Sequence, residues 1–364
     1  MTAERAAPPD DGVWMRRALA LAARGWGHTA PNPMVGAVLV RDGVVVGEGW
    51  HTAFGAAHAE VEALSAAGDA ARGATMYVTL EPCNHQGKTP PCTDALLAAG
   101  VGRVVAACAD PSAAAAGGAA RLREAGVDVT LGVEESVARE LNAPFFHALT
   151  STRPFVQLKV ALSLDGAMAD HTREPGWLTG ELARREGHRL RAGVDAVAVG
   201  IGTVIADDPH LTVRDAPPPR VPPSRVVFDT SARLPSASNL ARTAFAVPVI
   251  DVCWAPDPAH AAALEHMGVT LVHAATLGGA LEALCKRGIR SLLVEGGATL
   301  ASAFLQEALV DRLVIFRAPL VLGGGALNAF GAVPATRVSE AVRWRVVHTQ
   351  RLGDDEMTIY APPV

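Results

Sequence analysis

Thr75-Met76-Tyr77-Val78-Thr79-Leu80-Glu81-Pro82-Cys83-Asn84-His85-Gln86-Gly87-Lys88-Thr89-Pro90-Pro91-Cys92 is the stretch that decides the fold. Its first six residues have the β-branched and aromatic content of a strand. Pro90-Pro91 then leads into a helix, Cys92 to Ala99, which Gly100 closes. A strand that passes through a loop into a helix is the unit of a layered α/β domain, and open α/β sheets place their sites at the carboxyl ends of their strands. Cys83 falls at that end. Cys92 falls at a helix N-terminus, whose partial positive charge favours a thiolate.

Upstream, His58-Ala59-Glu60 opens a helix, His58 to Ala67. Helix positions two apart diverge by about 200°, so Glu60 can lie beside whatever His58 binds without binding it too. Before it, Asp42-Gly43 is a hairpin signal between Val35 to Val40 and Val44 to Glu48. Met15, Ala18, Leu19 and Ala22 give Trp14 to Arg24 helical spacing. Residues 1–12 are polar and Pro-containing, and a disordered N-terminus is expected there. Downstream run a strand, Val101 to Cys108, a helix, Ala119 to Ala125, and a strand, Val127 to Leu131. Ala143 to Pro154 holds two prolines and a Thr-Ser-Thr cluster, which places the domain link near Thr150. The expected domains are therefore 13–149 and 150–364.

The second half repeats the α/β pattern. Phe155 to Leu162 reads as a strand with an Asp165-Gly166 turn, and Thr179 to Arg191 as a helix with Thr179 as N-cap. Ala196 to Gly200, Arg225 to Phe228, Val247 to Val252 and Thr270 to Val272 read as strands, and the five prolines of Ala216 to Pro223 as an exposed loop. Ser291 to Glu295, Gly296-Gly297-Ala298-Thr299 and the helix Leu300 to Ala308 form a strand, turn, helix unit ahead of the strand Arg312 to Arg317. Backbone N–H groups at such a turn suit a phosphate, although Gly-Gly turns are common for other reasons. Gly200-Ile201-Gly202 lacks the third glycine of a dinucleotide fingerprint. Asp207-Asp208 has no further metal ligands at suitable spacing, so its bland reading is chain polarity before Pro209. Arg191 and Arg214 could hold a phosphate bidentately or simply be solvated.

His58, Cys83 and Cys92 can hold one zinc ion by three ligands and leave a position for water, with Glu60 to move protons. This is the His-x-Glu and Pro-Cys signature of zinc deaminases of bases, except that eight residues separate Cys83 from Cys92 instead of two. The bland alternatives are three unrelated residues or a structural zinc, which normally has four protein ligands, and the obvious fourth, His85, lies only two residues from Cys83. Asn32, His51, His85 and Lys88 are polar groups on nearby loops, or ordinary surface residues.

At 364 residues with 49% hydrophobic and 19% charged, the chain can bury two cores. A net charge of −5 without a run of Lys and Arg argues against a nucleic-acid groove. Nothing approaches the roughly eighteen apolar residues of a membrane helix. A soluble, cytoplasmic protein is expected. Five cysteines make a disulfide framework an unsuitable reading, and Cys108, Cys253 and Cys285 read as buried thiols.

Over Trp14 to Tyr360 the chain resembles the bifunctional riboflavin-biosynthesis deaminase/reductase family. The long Cys83 to Cys92 loop is a mark of that family, with Asn32-Pro33-x-Val35-Gly36, Lys159 before Ser163-Leu164-Asp165-Gly166, Trp177-Leu178-Thr179-Gly180, Gly202-Thr203-Val204, Ala206-Asp207-Asp208-Pro209, Leu211-Thr212-x-Arg214, Val294-Glu295-Gly296-Gly297 and Ala318-Pro319 with Gly323-Gly324. The resemblance implies an N-terminal cytidine-deaminase-like α/β/α domain followed by a dihydrofolate-reductase-like α/β domain. The first would remove the 2-amino group of 2,5-diamino-6-(5-phosphoribosylamino)pyrimidin-4(3H)-one by hydrolysis. The second would reduce the ribosyl group of 5-amino-6-(5-phosphoribosylamino)uracil to ribityl with NADPH.

By motif position, His58, Cys83 and Cys92 would bind one zinc ion and Glu60 would carry protons. Asn32, His51, Lys88 and Asp110 would face the pyrimidine. Ala161, Trp177, Thr203, Asp207, Gly297, Ala298, Thr299, Leu300, Ala301, Ser302 and Ala303 would meet NADPH, and Arg191, Leu211, Arg214 and Glu295 the second substrate. The implied partners are small phosphoribosylaminopyrimidines and a second copy of the chain in a homo-oligomer, with neither nucleic acid nor membrane. Two positions depart from the family: Ser112 stands where Asn is usual, and Pro175 where Ser is usual. The rival readings are a deaminase of another base with a non-catalytic second domain, and a structural zinc protein without turnover.

Overall fold

A computed structural model describes residues 10–85, 90–112, 116–174 and 176–363. The chain divides into two compact units, Met1–Thr150 and Ser151–Val364.

The first unit contains α1 (Asp11–Ala22), β1 (Gly36–Arg41), β2 (Val44–Trp50), α2 (Ala59–Ala67), β3 (Thr75–Val78), α3 (Cys92–Ala99), β4 (Arg103–Ala106), α4 (Gly118–Glu124), β5 (Asp128–Leu131), α5 (Glu135–Leu141) and α6 (Ala143–Ala148). The sheet order is β2-β1-β3-β4-β5, with β1 antiparallel to both neighbours and β3, β4 and β5 parallel. On one face Ala59 and Ala63 of α2, Leu96 of α3 and Leu122 of α4 pack against Leu39, Met76 and Val104. On the other, Met15, Ala18 and Leu19 of α1 and Ala138 of α5 pack against Val38, Tyr77 and Val105. Alternate residues of each strand thus serve opposite layers, and the result is the expected α/β/α domain.

Two close approaches fix where the site forms. Gly47 and Gly49 of β2 lie directly under α2, where an added Cβ would stand 2.2 Å from Ala63 O and 2.4 Å from Ala59 O. The missing side chains let α2 lie against the strand and bring its N-terminus, with His58 as N-cap, to the end of β3. Gly118 does the same for the loop after β3, since a Cβ there would sit 1.9 Å from Pro82 O.

The second unit has a nine-stranded sheet in the order β11-β10-β9-β8-β12-β6-β13-β16-β15, formed from β6 (Phe155–Leu162), β8 (Ala196–Gly200), β9 (Ser224–Phe228), β10 (Val249–Cys253), β11 (Val269–His273), β12 (Ser291–Val294), β13 (Arg312–Arg317), β15 (Arg345–Leu352) and β16 (Asp355–Ala361). Strands β11 to β13 in that order run parallel, while β16 and β15 are antiparallel additions at one edge. β7 (Ala167–Ala169) and β14 (Leu327–Asn328) make a small separate pair. Helices α7 (Glu181–Ala192), α8 (Ile201–Asp207), α9 (Asn239–Arg242), α10 (Pro258–His266), α11 (Leu277–Lys286) and α12 (Ala298–Gln306) complete the unit. The chain leaves β8 toward β9 and leaves β12 toward β13, in opposite directions along the sheet. The crevice between β8 and β12 is therefore a topological switch point, where open α/β sheets bind ligands.

The structure corrects three expectations. Of the segment 1–12, expected to be disordered, residues 1–9 lie outside the described residues, while the Asp10 side chain caps Gly12 N and Asp11 begins α1. Asp11 is held there by two 2.8 Å hydrogen bonds from Arg103 and one of 2.9 Å from the Tyr77 hydroxyl. Residues 143–148, read as irregular ahead of the link near Thr150, are a helix, because Pro144 sits in the first turn, where a missing N–H costs nothing. Thr179 is not the N-cap of α7. Gly180 is, and its N–H donates to Asp355 at 2.7 Å.

Candidate active sites

In the first unit, α2, the β3 loop and α3 converge. His58 Nδ1 lies 3.2 Å from Cys92 Sγ and 3.6 Å from Cys83 Sγ, and the Cys92 N–H donates to Cys83 Sγ at 3.4 Å. The three ligand atoms all lie within 4.8 Å of one another, and among the described residues no other three His, Cys, Asp or Glu do so. One imidazole and two thiols so placed fit a zinc ion with a position left for water. The Cys83 thiol is drawn down to about 4 by hydrogen bonding from Cys92 and His58, whereas Cys92 is pushed up by the proton it shares with Cys83 and by burial. His58 is raised, first by Cys83 and also by the charge of Glu60.

Glu60 is 4% exposed, and burial pushes its carboxyl up to about 7. Glu60, His58 and Cys83 line a cavity of about 330 Å³, whose walls include Asn32, His51, His85, Asp110, Ser112 and Phe145. His51 is held as a neutral ring: its Nδ1 meets Ala57 O at 3.0 Å as donor, leaving Nε2 to accept from Asn32 Nδ2 at 3.3 Å. Burial lowers its basicity accordingly. Asp110 is raised by burial and accepts from Ser112 N at 2.8 Å. The structure thus gathers Asn32, His51 and Asp110 with the ligand set. Lys88 and Pro175 lie outside the described residues.

Glu81 was not singled out as a site residue. It is buried beneath the site, where its carboxylate accepts from Asp110 N at 3.0 Å and Ala119 N at 2.8 Å and so joins the loops after β3 and β4. Its position just before Pro82-Cys83 was the available signal.

In the second unit the expected residues fall in two groups. Arg191 of α7 and Glu295, just past β12, form a bidentate pair at 2.7 and 2.8 Å, and Arg191 Nη1 also donates to Thr212 O at 3.0 Å. Burial alone would raise Glu295, but Arg191 and Lys159 pull it down to about 2. Lys159 on β6, next but one to Ala161, is lowered by burial, with Glu295 acting against that. Sequence reading gave Lys159 no role, although a lysine inside the apolar run Phe155–Leu162 was a signal. Arg214 is exposed, and its N–H donates to His188 Nδ1 at 3.2 Å. Leu211 is buried with φ +53°, so its backbone is what it can offer a ligand.

Of the second group, Thr203, Gly297 and Leu300 meet at the switch point. A Cβ on Gly297 would lie 3.6 Å from Thr203 Oγ1, and one on Gly200 would lie 3.7 Å from Leu300 Cβ, so the turns after β8 and β12 adjoin. Gly297 caps α12 without a side-chain bond, leaving the first N–H groups of Ala298, Thr299 and Leu300 available to a phosphate. The Ala301 N–H is already bonded to Gly297 O at 3.0 Å, and Ala301 and Ser302 turn into the core. Ala303 lies deeper in the helix and is half-buried. Trp177 is 78% exposed, with the Arg184 guanidinium 5.3 Å from its ring centre. Asp207 ends α8 and is raised by burial. The cradle of open N–H groups beside Thr203 fits the phosphate of a dinucleotide.

Comparison with known proteins bears on both units. Residues 9–108 match the family model of the cytidine and deoxycytidylate deaminase zinc-binding region, and residues 154–358 that of the RibD C-terminal domain. Riboflavin biosynthesis protein RibD of Aquifex aeolicus is 41% identical over 346 residues, covering 95% of this chain and 96% of its own. The Escherichia coli protein of the same name is 41% identical over 363 residues. Among solved structures, Acinetobacter baumannii RibD aligns with a TM-score of 0.83 at 40% identity, covering 97% of this chain and 99% of its own. The diaminohydroxyphosphoribosylaminopyrimidine deaminase/5-amino-6-(5-phosphoribosylamino)uracil reductase of Thermotoga maritima aligns with a TM-score of 0.84 at 35% identity and the same coverage.

Proposed function

The chain belongs to the RibD family of riboflavin-biosynthesis enzymes, a zinc-dependent deaminase joined to an NADPH-dependent reductase, and from that premise we infer which residues carry each step. The observation that carries the reading is a buried carboxyl, Glu60, that lines one cavity with His58 and Cys83 of the three-ligand His/Cys/Cys set.

His58, Cys83 and Cys92 hold the zinc, which when bound supplies Lewis acidity and lowers the pKa of a coordinated water. Glu60, poised near neutrality by burial, takes a proton from the attacking water and returns it to the departing ammonia. Asn32 and the neutral His51 form one polar edge for the pyrimidine and Asp110 another, and Lys88 belongs to the same proposed set. The α2 and α3 N-termini add a positive field that favours the two thiolates.

In the reductase, NADPH supplies the hydride. Thr203, Asp207, Trp177, Ala161 and the α12 N-terminus from Gly297 to Leu300 receive it, with Ala301, Ser302 and Ala303 backing that turn from within. Arg191, Glu295, Arg214 and the Leu211 backbone receive the phosphoribosyl substrate. Arg214 is the phosphate ligand, exposed and free of a carboxylate in the bonds described, while Arg191 is already turned onto Glu295. Lys159, beside Glu295, is placed to donate the proton that accompanies hydride transfer. The deaminase domain is proposed at 13–149 and the reductase at 150–364. A homo-oligomer is supported by the eight-residue, largely exposed edge strand β15, and a cytoplasmic location by the free state of all five cysteines.

The test is turnover of 2,5-diamino-6-(5-phosphoribosylamino)pyrimidin-4(3H)-one by the zinc-loaded chain with NADPH. Ammonia release followed by loss of NADPH absorbance is expected. Ammonia release with flat NADPH absorbance would remove the reductase half of the reading.

A further inference from the structure

We propose that His188 is a positioning residue of the reductase, whose neutral imidazole holds the backbone of Arg214 so that the Arg214 side chain meets the substrate phosphate; this rests on the phosphate role given to Arg214 above.

His188 and Arg191 lie three residues apart on α7 and so share a face. From that face the helix grips one loop at two places: Arg191 Nη1 donates to Thr212 O at 3.0 Å, and His188 Nδ1 receives the Arg214 N–H at 3.2 Å. The loop needs such ties. Its residues 211–214 belong to no helix or strand, and Leu211 sits at φ +53°, a conformation that a branched aliphatic residue does not choose locally.

An acceptor at Nδ1 requires the proton on Nε2. The ring is 9% exposed, and Nε2 lies 4.0 Å from Asp215 Oδ2. Burial, Arg191 on the same helix and Arg214 on the loop disfavour a second proton, against Glu295 beyond β12 and Asp215 beyond the loop, which favour one. The balance keeps the ring neutral through the physiological range. In acid a proton on Nδ1 would face the Arg214 N–H donor to donor and release the loop. A histidine that merely filled the core would show no such dependence.

The experiment uses the full chain, NADPH oxidation with 5-amino-6-(5-phosphoribosylamino)uracil and with its dephosphorylated form, and ammonia release as an internal control. His188→Leu removes the acceptor. It should raise KM for the phosphorylated substrate roughly tenfold, the worth of one backbone hydrogen bond, with kcat, KM for NADPH and ammonia release unchanged. KM for the dephosphorylated form should not move. His188→Asn, whose amide oxygen can stand near the Nδ1 position, should restore much of the loss and remove the rise in KM expected of the wild type in acid.

An unchanged KM in His188→Leu, or KM, kcat and melting temperature all worsening together, overturns the proposal. If His188→Leu does not fold, the acid dependence of the wild type and its absence in His188→Asn decide instead, and equal pH profiles overturn it. A wild type that treats the two substrate forms alike shows that the phosphate role of Arg214 is what failed, and the proposal falls with it.

Discussion

Arg191 and Glu295 meet in two parallel hydrogen bonds of 2.7 and 2.8 Å between α7 and the end of β12, with side chains 15% and 14% exposed. The planar guanidinium matches the carboxylate fork, and the pair belongs to the proposed substrate site of the reductase. Removing one partner leaves the other charge buried. Glu295→Ala should cost the reductase unit about 3–5 kcal/mol, the usual penalty for an orphaned buried charge, and abolish NADPH oxidation. Calorimetry of the full chain checks this, with ammonia release expected to persist. A melting profile indistinguishable from wild type would contradict the burial argument.

For the deaminase, Glu60→Gln keeps the shape and hydrogen-bonding reach of the side chain but not its basicity. We expect one zinc per chain by elemental analysis, ammonia release reduced by roughly 10²- to 10⁴-fold, and unchanged NADPH oxidation on the deaminated substrate. Retained ammonia release would sink the proton-carrier role of Glu60, while lost zinc would mean that the carboxylate supports the ligand set.

Zinc removal has a structural consequence as well as a catalytic one. Without the ion that they would hold, the Cys83 and Cys92 thiols share a proton close to the N-termini of α2 and α3. Chelation should therefore lower the melting temperature of the first unit while leaving the second in place, and added zinc should restore it. Cys92→Ser should mimic the chelated protein and respond weakly to zinc. A first unit that melts identically with and without chelator would argue that the site is preformed without the metal.

The reading from sequence went furthest where chemistry is local. The helix over Cys92–Ala99 and the strands Phe155–Leu162, Ala196–Gly200 and Arg312–Arg317 have the bounds expected from their periods and their flanking breakers. His58, Cys83 and Cys92 were legible as a ligand set because each residue type has few other uses at that spacing. Two family marks far apart also prove to touch, since the Gly323 N–H donates to Asp165 at 2.8 Å.

What sequence could not show depends on distant partners or on sidedness. The edge strand β15 has no alternation of apolar and polar residues because most of it is exposed, so its pairing with β16 was invisible. α6 was hidden by prolines that read as breakers although one of them sits in the first helical turn. His188 gained meaning only when the fold placed its Nδ1 against the Arg214 N–H.

Asp251 gives the last prediction. It lies in the middle of β10 with both carboxylate oxygens buried and without hydrogen-bond partners. The parallel register sets Asp251 opposite Val227 of β9, and Asp229, two residues on, projects to the same face with its own Oδ2 unpartnered. Burial, reinforced by the charge of Asp229, raises the Asp251 carboxyl from 3.8 to about 8. Cys253 on the same strand, pushed up to about 11, stays a neutral thiol there, and Arg233 reaches the other oxygen of Asp229 at 3.5 Å. The folded state thus binds a proton that the unfolded chain has released by neutral pH. Linkage gives the sign: the stabilising contribution is complete below the unfolded value near 3.8 and is lost as pH rises through about 8. Asp251→Asn, which cannot ionise, should remove that part of the slope and make the second unit more stable than wild type at alkaline pH. Melting curves of the two proteins from acid to alkaline buffer measure the difference directly. Parallel curves would show that Asp251 enters the fold already ionised.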